Sequence, residues 1–143
     1  MNKPLYDRDF HAWTLAQADA LRRRSANELD WDNLTEELEG MGSQQRAELH
    51  SHLVILLQHL IKWRIQPARR SRSWQLSIEE QRREIERLVR DNPSLKPWLE
   101  AAFADAWPVA RLRVLRETRL ADGAAPQTPF IGFDDAMTAD LEG

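Results

Sequence analysis

One run of apolar residues at helical spacing constrains the fold of this chain more than any other feature. From residue 34 to residue 63 the apolar positions recur at intervals of three, four or eight residues, and they are Leu34, Leu38, Met41, Leu49, Leu53, Leu56, Leu60 and Trp63. Such intervals place all of these residues on one face of an α-helix. The segment therefore predicts a helix that is apolar along one face.

Two glycines raise the question of whether this segment is one helix or two. The sequence Gly40-Met41-Gly42-Ser43 could end a helix, with Ser43 as the cap of the next one. A turn would usually shift the phase of the apolar face, yet the phase is the same on both sides. We therefore favour a single helix with a soft point at Gly40–Gly42, which would be about 50 Å long at 1.5 Å per residue.

Capping residues predict where the helices begin. Asp7 is a good N-cap for a first helix, and Asp30 is a good N-cap for the long helix that follows. Ser77 and Glu80 have the spacing of a capping box and predict the start of another helix. Pro97 suits the first turn of a last long helix.

Prolines predict where helices end or bend. Pro67 should end the long helix, and the basic segment Ala68–Ser73 that follows is expected to be a loop. Asp91-Asn92-Pro93 should stop the next helix. Pro108 falls inside the last long helix, which should end near Leu120, and is expected to kink it.

These elements predict an all-α fold, a compact bundle of four to five helices including one or two long helices. No long stretch alternates apolar and polar residues, and glycine is scarce, so helix is favoured over strand. We expect one helical domain over residues 1–120. From residue 121 to 143 Gly, Ala and Pro replace the helical pattern, which predicts an irregular tail, extended or partly disordered, with a short helix after Asp134.

Composition excludes several kinds of site. The chain has no cysteine, so it has no disulfide, thiolate nucleophile or thiolate metal ligand. Its first residues lack the apolar core of a signal peptide, and its longest apolar run, Leu53–Leu57, is too short to span a bilayer. We therefore expect a cytoplasmic protein without a membrane partner, and we predict no cofactor.

Charge is separated along the chain although the net charge is only −3. The acidic stretch from Glu28 to Glu48 contains one cation, Arg46, whereas no acidic residue lies between Glu48 and Glu79. We expect the two stretches to make complementary contacts, either within the fold or between two copies in a dimer.

Several short motifs occur together in a characteristic order. They are Asp9-Phe10-His11-Ala12-Trp13, Leu29-Asp30 with Asn33-Leu34, Glu36-Glu37-Leu38-Glu39, His59-Leu60-Ile61-Lys62-Trp63, Gln66-Pro67, Ser73-Trp74, Gln81-Arg82, Pro93-Ser94-Leu95 and Glu117-Thr118. In this order the chain resembles the bacterial family known as domain of unknown function 29, over about residues 6–120. The resemblance implies a compact all-helical fold and implies no activity. Pro108 and the segment from Pro126 to Phe133 depart from the pattern of the family.

The basic segment supplies the first set of candidate site residues. Its cations could contact a protein partner or neutralise phosphates, and an exposed tryptophan could stack on a base. The candidate interaction or phosphate-binding residues are Lys62, Arg64, Arg69, Arg70, Arg72, Trp74 and Arg82. The candidate acidic counter-surface consists of Glu36, Glu37 and Glu39.

Tryptophans and histidines supply two further hypotheses. Trp13, Trp31, Trp63 and Trp98 lie on apolar stripes and are expected in the core, while Trp74 is either a contact residue or a cover for the helix end near Trp63. Glu48, His52 and His59 share a helix face and are weak candidates for metal ligands. His52 and His59 are two turns apart, about 10.5 Å, so a straight helix cannot place both on one ion; we predict no metal site.

The favoured function is a non-catalytic protein-interaction or adaptor module. The partner would be an unknown protein or a second copy of the chain. The alternative is an accessory nucleic-acid-binding protein that uses the arginine-rich segment, although no known binding module is legible. We predict no catalytic residues and favour a non-enzyme, because the sequence has no glycine-rich phosphate loop and no nucleophile beside a base.

Overall fold

The computed structural model describes residues 3–141, and within them every regular element is helical. The α-helices are α1 (Leu5–Arg8), α2 (Phe10–Arg22), α3 (Trp31–Ile65), α4 (Arg72–Asp91), α5 (Leu99–Thr118) and α6 (Phe133–Thr138). Short 3₁₀ segments lie at Ala26–Glu28, Pro67–Arg69, Pro93–Trp98 and Asp122–Ala124. The predicted all-α class is confirmed. No helix in this part of the chain has the length and apolarity needed to cross a membrane.

The long helix predicted from the apolar stripe is confirmed as α3, which has 35 residues and continues through the glycines. A Cβ atom added at Gly40 or at Gly42 would meet no atom within 4 Å. The glycines are therefore not required by close packing. Because two glycines favour the unfolded chain, the helix is expected to be weakest there.

The chain divides into two compact units, Met1–Ser43 and Gln44–Gly143. The first unit contains α1, α2 and the beginning of α3. Its centre is Trp13, whose indole N–H donates to the Asp30 carboxylate at 2.9 Å. The Asp30 backbone N–H in turn donates to the side-chain oxygen of Gln17 at 2.8 Å. The rings of Tyr6 and Phe10 pack against Trp13 at centroid distances of 4.8 and 5.6 Å.

The second unit holds the large apolar core. Three helices supply most of it, and its buried side chains are Leu49, Leu53, Val54, Leu56, Leu57, Leu60, Ile61, Ile78, Ile85, Leu88, Leu95, Phe103, Ala106, Trp107, Ala110, Val114, Ala125 and Ala136. The part of the predicted stripe from residue 49 to residue 60 therefore faces a core. α5 continues through Pro108, a position that faces solvent.

Three helix starts differ from the predictions. Pro97 lies in the 3₁₀ segment Pro93–Trp98, and the last long helix, α5, begins after it at Leu99. The first capped helix is α2, and its cap is Asp9 rather than Asp7: the Asp9 carboxylate accepts from the Ala12 backbone N–H at 3.0 Å. α4 begins at Arg72, and its cap is Ser71, six residues before Ser77: the Ser71 hydroxyl accepts from the Trp74 backbone N–H at 3.2 Å. The start of α3 directly after Asp30 is confirmed.

Side-chain hydrogen-bond donors hold residues 121–141 against the rest of the second unit. Arg111 donates to the carbonyl oxygens of Ala125 and Asp122 at 3.0 and 2.7 Å. The Trp107 indole N–H donates to the carbonyl oxygen of Pro126 at 3.1 Å. The short helix expected after Asp134 is α6, which begins at Phe133 and buries Ala136. This segment therefore contributes to the core of the unit.

Candidate functional site

The arginine-rich segment is more ordered than the predicted loop. Pro67–Arg69 forms a 3₁₀ turn, and α4 begins at Arg72. The expectation that Ala68–Ser73 is a loop is therefore wrong over its last two residues. Trp74 lies in the first turn of α4, which brings its ring towards the end of α3.

Lys62 is the centre of a polar cluster made by three helices. Its side chain is almost fully buried, with 4% of the residue exposed. Its ammonium lies 3.0 Å from the Glu117 carboxylate on α5 and 4.8 Å from the centre of the Trp74 ring on α4. The Gln58 amide donates to the other Glu117 oxygen at 3.1 Å. We call Gln58, Lys62, Trp74 and Glu117 the Lys62 cluster.

The electrostatics of this cluster keep the Glu117 carboxylate charged at neutral pH. Partial burial of Glu117 acts to raise its pKa, but hydrogen bonds from Lys62 and Gln58 outweigh that effect and lower the pKa below its usual value. The half-exposed Glu117 carboxylate also keeps contact with water. A buried ammonium requires such a partner, because isolated charges are costly to remove from water.

His59 lies next to the cluster and is held neutral. Its Nδ1 lies 2.9 Å from the carbonyl oxygen of Ile55, one turn earlier in α3, to which it donates. Burial lowers the pKa of His59, and the nearby Lys62 charge lowers it further. His59 therefore serves the helix as a neutral hydrogen-bond donor at pH 7.

The remaining basic candidates fall into two groups. Arg70 donates to the Trp63 carbonyl at 2.8 Å, with its guanidinium 5.0 Å from the Trp63 ring. Arg82 donates to the carbonyls of Ala136 and Ala139, both at 2.9 Å, and so caps α6. Both arginines are thus engaged in holding the unit together.

The second group faces solvent. Arg64 is exposed, and its guanidinium lies 4.5 Å from the centre of the Phe130 ring. Arg69 and Arg72 are exposed, and their side chains make no hydrogen bond or ion pair with residues 44–141. Of the seven predicted site residues, these three arginines are the ones that a partner could reach most directly.

The acidic candidates lie on α3 in the first unit. Glu37 accepts a short hydrogen bond from the Tyr6 hydroxyl, and this bond, more than any other effect, raises the pKa of Tyr6 to about 12. Glu36 and Glu39 are exposed. Glu37 is therefore partly committed to holding α1 against α3, while Glu36 and Glu39 face solvent.

Three large apolar residues on the same part of α3 are exposed. Trp31, Leu38 and Met41 have exposed fractions of 61%, 65% and 61%, and Leu34 between them is half-buried. We call Trp31, Leu34, Leu38 and Met41 the α3 stripe. The expectation that Trp31 belongs to the core is wrong.

A second tryptophan that was expected in the core is exposed. Trp98 is also half-exposed, so its predicted place in the core is wrong, and the Arg46 guanidinium lies 4.4 Å from its ring centre. Trp13 is buried as predicted, and Trp63 is partly buried against the core.

The three candidate metal ligands have other partners. His52 Nδ1 lies 2.7 Å from the side-chain oxygen of Gln81, and its Nε2 lies 3.7 Å from the Glu48 carboxylate. His59 donates to a backbone carbonyl. Within residues 3–141 no group of three or more His, Asp or Glu side chains is arranged to hold a metal ion.

The model of the family described as Domain of unknown function DUF29 matches residues 5–141. The chain belongs to the DUF29 family. A search of curated proteins and a search of solved structures each found no match.

Several of the motifs that this chain shares with the DUF29 family contact one another in the fold. In the first unit, the Trp13 motif and the Asp30 motif meet through the indole–carboxylate hydrogen bond, and Asn33 donates to the same carboxylate at 2.8 Å. In the second unit, the motifs that contain Lys62, Trp74 and Glu117 meet in the Lys62 cluster. Each unit thus has a polar contact that joins distant motifs of the family.

Sequence reasoning did not identify Glu117 as a site residue. The signal that pointed to it was the Glu117-Thr118 motif of the family, because its partner Lys62 is 55 residues away in sequence. Sequence reasoning also placed Trp31 of the α3 stripe in the core, since helical spacing shows a shared face but does not show what covers that face.

Proposed function

We propose that this DUF29 domain is a non-catalytic protein-interaction module that binds its partner through the α3 stripe. The observation that supports this is the exposure of three large apolar side chains on one face of a regular helix. Their positions, seven and then three residues apart, place Trp31, Leu38 and Met41 in line along that face. A partner helix laid along the face would contact all three.

The chemistry of these side chains suits an interface. Tryptophan is among the residues most enriched at binding hot spots, and methionine adapts its shape to different partners. Burying a leucine or methionine side chain completely contributes roughly 1.5–3 kcal/mol. Leu38 and Met41 have most of that contribution still available because both are more than half exposed.

The charges beside the stripe select the kind of partner. From residue 31 to residue 42 there are four acids and no cation: Asp32, Glu36, Glu37 and Glu39. A second copy of the same face would bring like charges together, which costs free energy. The complementary partner is an amphipathic helix that presents apolar residues flanked by lysine or arginine.

A synthetic peptide pair tests this proposal. One peptide is an amphipathic helix of leucine and lysine; the other has the same leucines with glutamate in place of lysine. We expect the full chain to bind the basic peptide saturably and to bind the acidic peptide at least about tenfold more weakly, a difference of about 1.4 kcal/mol. Titration calorimetry at 0.15 M salt measures both affinities.

Matched variants locate the binding face. Leu38→Gln with Met41→Gln should weaken binding of the basic peptide about tenfold or more, because glutamine keeps helix propensity but removes apolar area. Leu112 on α5 is similarly exposed, so Leu112→Gln is the control and should leave the affinity unchanged. Equal losses in both variants would contradict the proposal.

Two other results would replace this function with another. A dimer in light scattering that disappears in Leu38→Gln would mean that a second copy covers the stripe. Salt-sensitive binding of single-stranded DNA or RNA that is lost in Arg69→Ala with Arg72→Ala would favour the nucleic-acid alternative. One contact disfavours that alternative: the Lys62 ammonium lies over one face of the Trp74 ring, so a nucleic-acid base could not stack on that face.

A further inference from the structure

The second unit has a groove that the proposed interaction does not use. It lies between α4, the Pro93–Trp98 segment, α5 and α6, and its volume is about 550 Å³. This volume lies within the range of roughly 300–1,000 Å³ that small-molecule sites occupy. The groove is therefore large enough for a small ligand.

The floor of the groove is apolar. It is formed by Ile85, which is buried, and by Val89, Leu99, Phe133 and Met137, which are partly buried against the core. Phe133 is held edge-on by Phe103 at a ring-centroid distance of 6.2 Å. Met137 is unbranched and can adjust to a ligand. The floor thus combines one fixed ring with one adaptable side chain.

The rim carries two cations. Lys96 is exposed, and its side-chain ammonium makes no hydrogen bond or ion pair with residues 44–141. Arg90 is exposed, and its ion-pair contact is with the neighbouring Asp91, at 3.6 Å. Within residues 3–141, Glu86 is the one acidic residue that lines the groove, so the lining carries two cations and one carboxylate. The two cations are thus available to an anion at the rim.

We propose that this groove binds a small amphipathic carboxylate with an unbranched apolar chain of medium length. The chain lies on Leu99, Phe133 and Met137, and the carboxylate lies at the rim between Arg90 and Lys96. The long stems of these two residues allow their charged ends to reach a ligand above an apolar floor. The planar guanidinium of Arg90 matches the two oxygens of a carboxylate.

Methyl NMR tests this directly on the full chain. The sequence contains three methionines, Met1, Met41 and Met137, so ¹³C-methyl labelling of methionine gives a spectrum that can be assigned by substitution. The Met137 signal is the one that disappears in Met137→Leu. We expect octanoate to shift this signal saturably and to leave the Met41 signal, in the other unit, unmoved.

Ligands of matched shape separate the two parts of the proposal. Octanol should bind more weakly than octanoate because it lacks the charge, and octylammonium should bind more weakly still because the rim repels it. Butyrate should bind weakly because its chain covers little of the floor. An octylammonium affinity equal to that of octanoate would overturn the proposal, as would an unmoved Met137 signal at millimolar octanoate.

Rim variants complete the test. Arg90→Gln with Lys96→Gln should weaken octanoate binding about tenfold and leave octanol binding unchanged, because only the carboxylate uses the cations. Arg113→Gln on α5 removes an exposed cation that does not line the groove and should change neither affinity. The proposal is wrong if the rim variants bind octanoate as well as the unchanged chain does.

Discussion

Lys62 shows how a charged residue is kept in the interior of a small helical unit. Lysine is rarely buried to this extent without a partner, because its ammonium loses its hydration. Here the partners are unequal: Lys62 is buried, whereas Glu117 is half-exposed and can be hydrated without Lys62. The pair should therefore respond differently to the loss of each member.

Removing Glu117 should cost more stability than removing Lys62. Glu117→Gln leaves the Lys62 ammonium buried without its counter-charge, and we expect the free energy of unfolding to fall by about 1–3 kcal/mol at pH 7. Lys62→Met leaves an apolar side chain in an apolar place and a carboxylate in water, and should cost less. Urea unfolding of both variants measures the difference, and a larger loss in Lys62→Met would contradict this account.

The contribution of the pair should also depend on pH. The folded-state pKa of Glu117 is lowered, so the stability that it contributes is present above the unfolded-state pKa, about 4.3, and is lost as pH falls through the lowered value. The difference in unfolding free energy between the unchanged chain and Glu117→Gln should therefore shrink below about pH 4. In the Lys62→Met background, the same Glu117→Gln change should have little effect at either pH.

The roles of individual charges could be predicted from sequence only in part. Charge and clustering marked Lys62, Arg70 and Arg82 as binding candidates, yet the structure gives them a carboxylate or backbone carbonyls as partners. Those partners come from distant helices or from helix ends, which no local pattern reveals. Arg69 and Arg72 show the same sequence signal and remain exposed.

At the scale of elements, capping signals identified the correct kind of residue but not always the correct one. Ser71 and Ser77 both suit a helix start, and the capping-box spacing favoured Ser77. Ser71 is the cap that the folded chain uses, and the helix that follows places Trp74 against Lys62 and buries Ile78. A tertiary contact thus decided between two locally acceptable caps. The same ambiguity separates Asp7 from Asp9.

The glycines of α3 offer a test of the helix as an element. Gly40→Ala and Gly42→Ala should each stabilise the helix locally by about 0.8–1.0 kcal/mol, because alanine favours helix and nothing obstructs its methyl group. Hydrogen exchange of the amides around residues 38–46 should slow accordingly. Gly132 caps α6 outside the helix interior, so Gly132→Ala is the control and should give no gain. Unchanged exchange in the α3 variants would mean that this segment is not helical in solution.

At the scale of the whole molecule, buried apolar residues are distributed unequally. The core cluster runs from Leu49 to Ala136 and lies wholly in the second unit, whereas Trp13 and Ala20 are the buried apolar residues described in the first. The apolar phase of α3 is the same in both units, so sequence spacing predicted the helix correctly. It could not show that the stripe is covered from Leu49 onward and uncovered at Leu38, because that depends on where other helices pack.

Because the core cluster lies in the second unit, the two units should differ in stability when each is produced as a separate fragment. A fragment of residues 44–143 keeps every member of the core cluster and the anchors Trp107 and Arg111 of the C-terminal segment, so it should unfold cooperatively within a few degrees of the full chain. A fragment of residues 1–43 should show no cooperative transition, since a chain of about 40 residues rarely buries enough apolar surface to fold alone. Circular dichroism during heating measures both.

A fragment of residues 44–120 serves as the control. Without Ala125, Ala136 and the capped α6, it should be markedly less stable than the fragment of residues 44–143. Non-cooperative melting of residues 44–143 would contradict the view that this unit carries the stability of the DUF29 chain, because every residue of the core would still be present.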